Sequence, residues 1–433
     1  MVLYLCIAAG RKSMVIQQVV KKLWETQFLD YREELNKVEK ITVQELYDLC
    51  IEDINRLSEK VYKTRHHALT ILETTGCQHQ IRNNCISGCS FCNWDSDRMI
   101  SLARLKQLRE KDVEKYAQVV RYSFTKIRGE QCNPSVVEQL SVHDIFDERQ
   151  FPEEVFDNMF IKDSVYSRKP DVGIISARAD NVSEENVVKW KKAFRLSLTI
   201  GIGVECGNEW VRNHWLNKNV YNDQIEHAVD VIKANGAKSC ANIILGIPGV
   251  EDRYSLMFFV DTLTYVFNVA QFDYVLISPL INKKYTFGTV LPGGESTISL
   301  ELLENALYFI YNKFSGHIGK ITFSPDNFDM MQQYFDKDQK ERYSRLISGI
   351  NNMGTVFAEN GMERSVIENT NKLDISVNQY EIREHFATQM KEVLFRIFGK
   401  TDSHYFQFRQ EIKELHWKGE SVNESKRCID NGA

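Results

Sequence analysis

Residues 85 to 92 read Cys85-Ile-Ser-Gly-Cys89-Ser-Phe-Cys92. Three thiolates in this C-x3-C-x2-C pattern can wrap three irons of a [4Fe–4S] cube and leave the fourth iron without a protein ligand. An open iron can bind a small chelating molecule, and a cluster can pass that molecule one electron. Structural zinc is the competing chemistry, but a closed zinc site wants four ligands. The chain has one C-x2-C only, and His66, His67 and His79 are not at paired spacing with a second cysteine pair. Inert buried thiols are the third reading, and three cysteines within eight positions of a polar loop argue against it. The other seven cysteines are scattered singly. That is no secreted disulfide framework, and in a reducing cytosol such thiols are mostly small buried hydrophobes.

The elements that must hold this loop are legible as a series. Ile16, Val19, Val20, Leu23 and Trp24 repeat at helical spacing. Thr42 with Glu45 forms a capping box, after which Leu46, Tyr47, Cys50, Ile54, Leu57 and Val61 line one helical face. Ala68 to Thr74 is strand-like and runs into the cysteine loop, and Leu102 to Phe124 reads as helix. Strands are then expected within 136–146, at 172–176, 198–204, 239–245 and 274–278. Helices alternate with them, opened by Ser183-Glu184-Glu185 and stopped at Gly236. Such alternation predicts parallel βαβ units, and six of them predict an open, partial barrel. Sites in such barrels form at the C-terminal ends of the strands, where the cysteine loop, Gly207-Asn208 and Gly246 all fall. The expected organisation is α/β: an N-terminal helical extension (1–65), a partial (β/α)6 barrel (66–290), and a mostly helical C-terminal region (291–433) that closes it.

Of 433 residues, 43% are hydrophobic and 26% charged, with a formal net charge of −5. This is a chain with a real core, and its charge argues against nucleic acid as partner. The short basic spots, Lys283-Lys284 among them, read as solvated loop or helix face. The apolar start, Met1 to Gly10, is too short to span a bilayer and has no basic residues before it. No membrane association and a cytoplasmic location are expected.

The cysteine spacing followed by βα repeats resembles the radical S-adenosylmethionine (radical SAM) superfamily over roughly residues 68–278. Phe91, before the last cysteine, fits that pattern. Ile202-Gly203-Val204-Glu205-Cys206-Gly207-Asn208, followed by Leu216-Asn217-Lys218, resembles a motif of the Elongator-like branch. So does Ile243-Ile244-Leu245-Gly246-Ile247-Pro248-Gly249. The segment Asp144-Ile145-Phe146-Asp147-Glu148, then Phe151-Pro152, resembles the stretch after the second strand. Some members of that branch use a longer gap before the C-x2-C pair, so Cys77 is an alternative to Cys85 as third ligand.

The resemblance implies a [4Fe–4S] cluster on Cys85, Cys89 and Cys92, with S-adenosylmethionine chelated by the open iron. Reductive cleavage would give methionine and a 5′-deoxyadenosyl radical that takes a hydrogen atom from a substrate. An electron donor such as flavodoxin or ferredoxin is implied. Glu205 is implied to hydrogen-bond the ribose or methionine end of the cofactor, Lys218 or Arg178 to meet its carboxylate, and Gly246 to let backbone approach the adenine. Asp144 is the candidate substrate contact, facing the barrel mouth; as a plain capping residue it would have no such role.

Within that branch the pattern is similar to the radical SAM subunit of archaeosine synthase and to aminoglycoside diol dehydratases. No cysteine pair follows residue 92. A small, polar, aminosugar-like natural-product intermediate is the leading expectation for the substrate. An RNA-modifying radical SAM enzyme and a non-catalytic zinc-stabilised module are the two alternatives.

Overall fold

The structure, a computed structural model, describes residues 14–56, 61–63, 66–82, 85–291, 294–350, 371–399 and 402–416. The apolar start at Met1 to Gly10 lies outside these residues. Three helices lead the chain, α1 (Val15–Leu23), α2 (Glu25–Val38) and α3 (Val43–Arg56). The capping box at α3 is made: the Thr42 N–H donates to Glu45 Oε2 at 2.9 Å, and the Glu45 N–H donates to Thr42 Oγ1 at 3.2 Å. The helix stops sooner than its apolar face suggests. Val61 belongs instead to a short strand, β1 (Val61–Lys63), antiparallel to β2 (His67–Ile71).

After β2 come a small hairpin, β3 (Ile81–Arg82) and β4 (Cys85–Ile86), and helices α4 (Met99–Lys111) and α5 (Val113–Arg128). Then β5 (Val137–Ser141), α6 (Glu153–Phe156), β6 (Val172–Ala177), α7 (Glu184–Lys191), β7 (Ser197–Glu205), α8 (Asn222–Ala234), β8 (Lys238–Leu245), α9 (Asp252–Thr264) and β9 (Tyr274–Pro279) alternate. The Ser183 cap on α7 is present, its hydroxyl accepting from the Asn186 N–H. A second small pair, β10 (Ile281–Asn282) with β11 (Ser296–Thr297), precedes α10 (Leu300–Lys313), β12 (Ile321–Phe323), α11 (Pro325–Met331), α12 (Lys337–Ile350), α13 (Gln379–Phe398) and α14 (Asp402–Glu411).

The main sheet runs β1-β2-β5-β6-β7-β8-β9-β12, and every pair after the first is parallel. Spatial order follows chain order without reversal. Right-handed crossovers in a sheet that never reverses put all their helices on one face. The sheet then curls around its other face, giving a half-barrel rather than a flat, doubly covered sheet. The six expected strands, β2 and β5 to β9, are all found. Within the mostly helical region after residue 290, β12 adds a seventh parallel strand, and its three residues carry too little pattern to be read from sequence.

One core lies between the strands and their helices, around Leu140, Ile175, Ile200, Ile202 and Ile277. A second gathers α1, α13 and α14 against Trp210, Trp215 and Phe287. Gly173, at the start of β6, shows how tightly the first core is filled: an added Cβ would lie 2.4 Å from the Phe194 ring. Gly173→Ala should therefore destabilise the protein by about 1–3 kcal/mol, the usual cost of overpacking. Urea denaturation measures this, and an unchanged midpoint would show that Phe194 can move aside freely.

Candidate functional site

The cysteine loop leaves the end of β2 and is fixed at once. The Leu72 N–H donates to Ser141 O at 3.1 Å, and the Thr75 N–H donates to Tyr116 Oη at 3.2 Å. Gly76 has φ +76°, and an added Cβ there would press on Leu102 at 2.9 Å. This turn delivers Cys77, whose N–H donates to Asp95 Oδ2 at 3.0 Å.

The chain between Cys77 and Cys89 folds back on itself. The β3–β4 hairpin pairs Ile81 with Ile86, the Ser87 N–H donates to Gln80 O at 2.9 Å, and the Gly88 N–H donates to His79 O at 2.8 Å. A gap of eleven residues is closed in this way, and Cys77 comes beside Cys89. Cys92 follows one turn later, its N–H donating to Cys89 O at 3.2 Å.

Cys77, Cys89 and Cys92 are half-buried and lie within electrostatic reach of one another. Burial pushes the Cys77 thiol up to about 12 and raises those of Cys89 and Cys92. Cys85, the expected third ligand, sits in the hairpin strand β4 and is disulfide-bonded. The hairpin shortens the path from Cys89 to Cys77, the alternative that the longer gap offers.

Two cations face the thiols from neighbouring strand ends. Arg178 follows β6 and Lys218 follows β7, and the charges of both act on Cys89. Arg178 donates from Nε to Asp180 Oδ1 at 3.0 Å and from Nη2 to Asn219 O at 3.1 Å. Lys218 Nζ lies 2.8 Å from Glu205 Oε1, both side chains largely buried. Burial lowers the Lys218 ammonium, but the Glu205 charge outweighs it and holds the group above its ordinary value.

Glu205 ends β7 with φ +59°, past a register shift between Gly203 and Glu205. The shift turns its carboxylate towards Lys218. Gly203 leaves the room: a Cβ there would stand 2.4 Å from Lys218 Nζ and 2.8 Å from Glu205 Oε1.

Arg212, which the sequence reading passed over, holds this bend. Fully buried, it donates to the carbonyls of Val204, Cys206, Gly207 and Val220 and to Asn222 Oδ1.

The two halves of the site are tied by Asn217 at φ +54°. Its Nδ2 donates to Ser87 O at 3.1 Å and to Gly88 O at 2.5 Å, and its carbonyl meets His79 Nε2 at 2.6 Å. Beside it the Ser90 N–H donates to Leu216 O at 2.9 Å, and Ser90 Oγ donates to Trp215 O at 2.8 Å.

Gly246, after β8, has φ +96° and admits the Ile298 side chain to 2.5 Å of where its Cβ would be. The visible requirement at this position is close packing and a left-handed turn.

Asp144 does not open onto the mouth. It is 1% exposed and accepts hydrogen bonds from Asn181 Nδ2 at 2.6 Å and from the Phe146 N–H at 3.1 Å. The residue before it is half-buried. His143 Nε2 lies 3.1 Å from Asp95 Oδ1, and its ring meets Trp94 edge-on at 6.0 Å. Burial pushes the Asp95 carboxyl up, but His143, Arg98 and the Cys77 N–H outweigh it and hold the group well below the usual carboxylate range. An anionic Asp95 can only accept, so the ring Nε2 is the donor.

Among the described residues no three His, Cys, Asp or Glu side chains stand ready around a single metal ion. No described helix is long and apolar enough to cross a membrane.

No protein-family model matches the chain. An uncharacterised protein of Methanocaldococcus jannaschii is 25% identical over 163 residues, 38% of this chain and 42% of that protein. The chain thus matches less than half the length of that relative. Among solved structures, Methanocaldococcus infernus Elp3 lacking its N-terminus shares 15% identity, with 48% of this chain and 51% of that chain covered and a TM-score of 0.34. The Kitasatospora setae radical S-adenosylmethionine methyltransferase TsrM, solved with cobalamin and a [4Fe–4S] cluster, shares 12% identity. That match covers 51% of this chain and 38% of that chain, with a TM-score of 0.30.

Asp144 sets a pH dependence of stability. Burial pushes its carboxyl up to about 7, whereas an unfolded Asp titrates near ~3.9. Between those values the folded chain holds a proton that the unfolded chain has lost, so stability falls as pH rises through this window. From pH 5 to 7.5 the loss from this group should be about 3 kcal/mol. Asp144→Asn should flatten that slope in urea denaturation of the metal-free protein, and equal slopes in both proteins would refute the assignment.

Proposed function

We propose that Cys77, Cys89 and Cys92 hold a [4Fe–4S] cluster and that the chain is a radical SAM enzyme acting on a small polar molecule. The observation that carries this reading is the convergence of three half-buried thiols with Arg178 and Lys218 on one rim of the half-barrel. Buried thiols alone stay protonated, and ionising them needs positive charge at the site. Iron supplies it, and three such donors leave one iron of a cubane open. The thiols therefore fit the group in number, burial and electrostatics. Cys85, tied elsewhere, is not required.

When bound, the cluster and S-adenosylmethionine together supply a 5′-deoxyadenosyl radical that takes a hydrogen atom from a substrate C–H bond. The chain's own residues position and exclude. Lys218 and Arg178 offer charge-assisted hydrogen bonds to the carboxylate of the methionine moiety. Glu205 neutralises Lys218 until that carboxylate arrives, and then accepts from the cofactor's polar hydrogens. Asp144 is a positioning residue: it accepts the Arg178 N–H and so fixes the end of β6. His143, with Asp95 behind its Nε2, offers its other ring nitrogen to a polar group of the substrate. Trp94 gives that substrate an apolar edge. The electron comes from a soluble donor such as flavodoxin or ferredoxin. The net charge of −5 disfavours a polyanionic substrate such as RNA.

Protein reconstituted without oxygen should be brown and hold about four irons and four sulfides per chain. Cys77→Ala, Cys89→Ala and Cys92→Ala should each lose most of that iron, and Cys85→Ala should keep it. Loss in Cys85→Ala with retention in Cys77→Ala would reverse the ligand set.

Dithionite-reduced protein should cleave S-adenosylmethionine to methionine and 5′-deoxyadenosine. Lys218→Ala should weaken cofactor binding by about 1.5–3 kcal/mol, the worth of a hydrogen bond to a charged group. Chromatography settles the first point and isothermal titration the second. S-adenosylhomocysteine as main product would mark a methyltransferase instead.

A further inference from the structure

Lys283 has no ion-pair partner among the described residues, although it is half-buried. It lies in the turn after β10. Thr286 closes that turn, its N–H donating to Lys283 O at 3.1 Å and its Oγ1 donating to the same oxygen at 2.7 Å. The next residue staples the turn to the cysteine loop: the Phe287 N–H donates to Ser90 O at 2.7 Å. Ser90 lies between Cys89 and Cys92, and the Lys283 ammonium acts on the Cys92 sulfur.

The other charges near the thiols are answered. Lys218 has Glu205, Arg178 has Asp180, and Asp95 has Arg98 and His143. Among the described residues near the thiols, Lys283 alone brings a positive charge with no ion-pair partner. A partly desolvated ammonium without a counter-charge is costly. It is explained if a negative group belongs beside Cys92. A cubane on three thiolates is such a group: its net charge is negative, and reduction adds one more negative charge.

Resting on the reading of this site as a cluster site, we propose that Lys283 is the cation that sets how readily the cluster accepts an electron. A positive charge close to the cluster favours the more negative, reduced form, so it raises the reduction potential. One electron enters from an external reductant, no proton moves, and no bond is made or broken. Lys283 is a positioning charge and touches neither cofactor nor substrate.

The test is a redox titration of reconstituted protein followed by electron paramagnetic resonance, without S-adenosylmethionine or substrate. Iron content is measured on every sample. Lys283→Met should load iron as the wild type does. At a fixed ambient potential its ratio of reduced to oxidised cluster should be about tenfold lower, a fall of ~59 mV for one electron. Lys283→Arg, which keeps the charge, should restore the wild-type ratio, and Lys283→Gln should behave like Lys283→Met.

An unchanged ratio in Lys283→Met overturns the proposal and leaves the ammonium for an anionic substrate group. A ratio in Lys283→Arg as low as in Lys283→Met also overturns it, because shape rather than charge would then matter. Wild-type protein that takes up no iron would refute the cluster reading itself, an outcome that the iron analysis separates from the other two.

Discussion

The site depends on one tie between two distant stretches of chain. Cys77, Cys89 and Cys92 belong to the loop after β2, whereas Lys218 and Glu205 belong to the bend after β7. Asn217 joins them, with its amide on the Ser87 and Gly88 carbonyls and its own carbonyl on His79. These contacts are buried, so each broken one would leave a polar group without water. The backbone at Asn217 is left-handed, a conformation that Asn tolerates better than most residues. Thiols and cations therefore stand in fixed register before any ligand is present.

The half-barrel supplies the rest. Its strands follow one another in chain order, so every strand end on one rim belongs to a different βα connection. The rim thus collects side chains from residues 77 to 283 without any long excursion of chain. Buried Arg212, spread over four carbonyls, keeps the β7 connection bent where a regular strand would have run on.

The regular part of this arrangement could be read from the sequence. Alternating strands and helices, the caps at Thr42 and Ser183, and the glycine stop at 236 follow local rules, and the structure shows them. The site was legible only in part. Cys89 and Cys92 lie one turn apart, and spacing alone places them together. The choice between Cys77 and Cys85 turned on a hairpin of two-residue strands, too short for any periodic signal.

At His143-Asp144 the residue type was read and the direction was not. One residue along the chain exchanges buried for half-buried, and the Asp144 carboxylate forms a turn with the Phe146 N–H. Lys283 read as solvated because charge runs usually are. Its partial burial comes from the Phe287–Ser90 bond between segments about two hundred residues apart, which no local pattern records.

The second core has a consequence for how the protein is made. Trp215, whose carbonyl holds Ser90, is covered by Phe386 at 4.6 Å, and Trp210 Nε1 donates to Glu411 O at 2.8 Å. Helix α1 joins them through the Val15 N–H on Glu411. During synthesis the thiols leave the ribosome long before α13 and α14 exist, an interval of roughly tens of seconds at ordinary elongation rates. Throughout it the nascent chain exposes its sulfurs to solvent. Oxidants and metal carriers compete for the same atoms in that interval, and the winner is chosen before the last helices arrive to seal the choice.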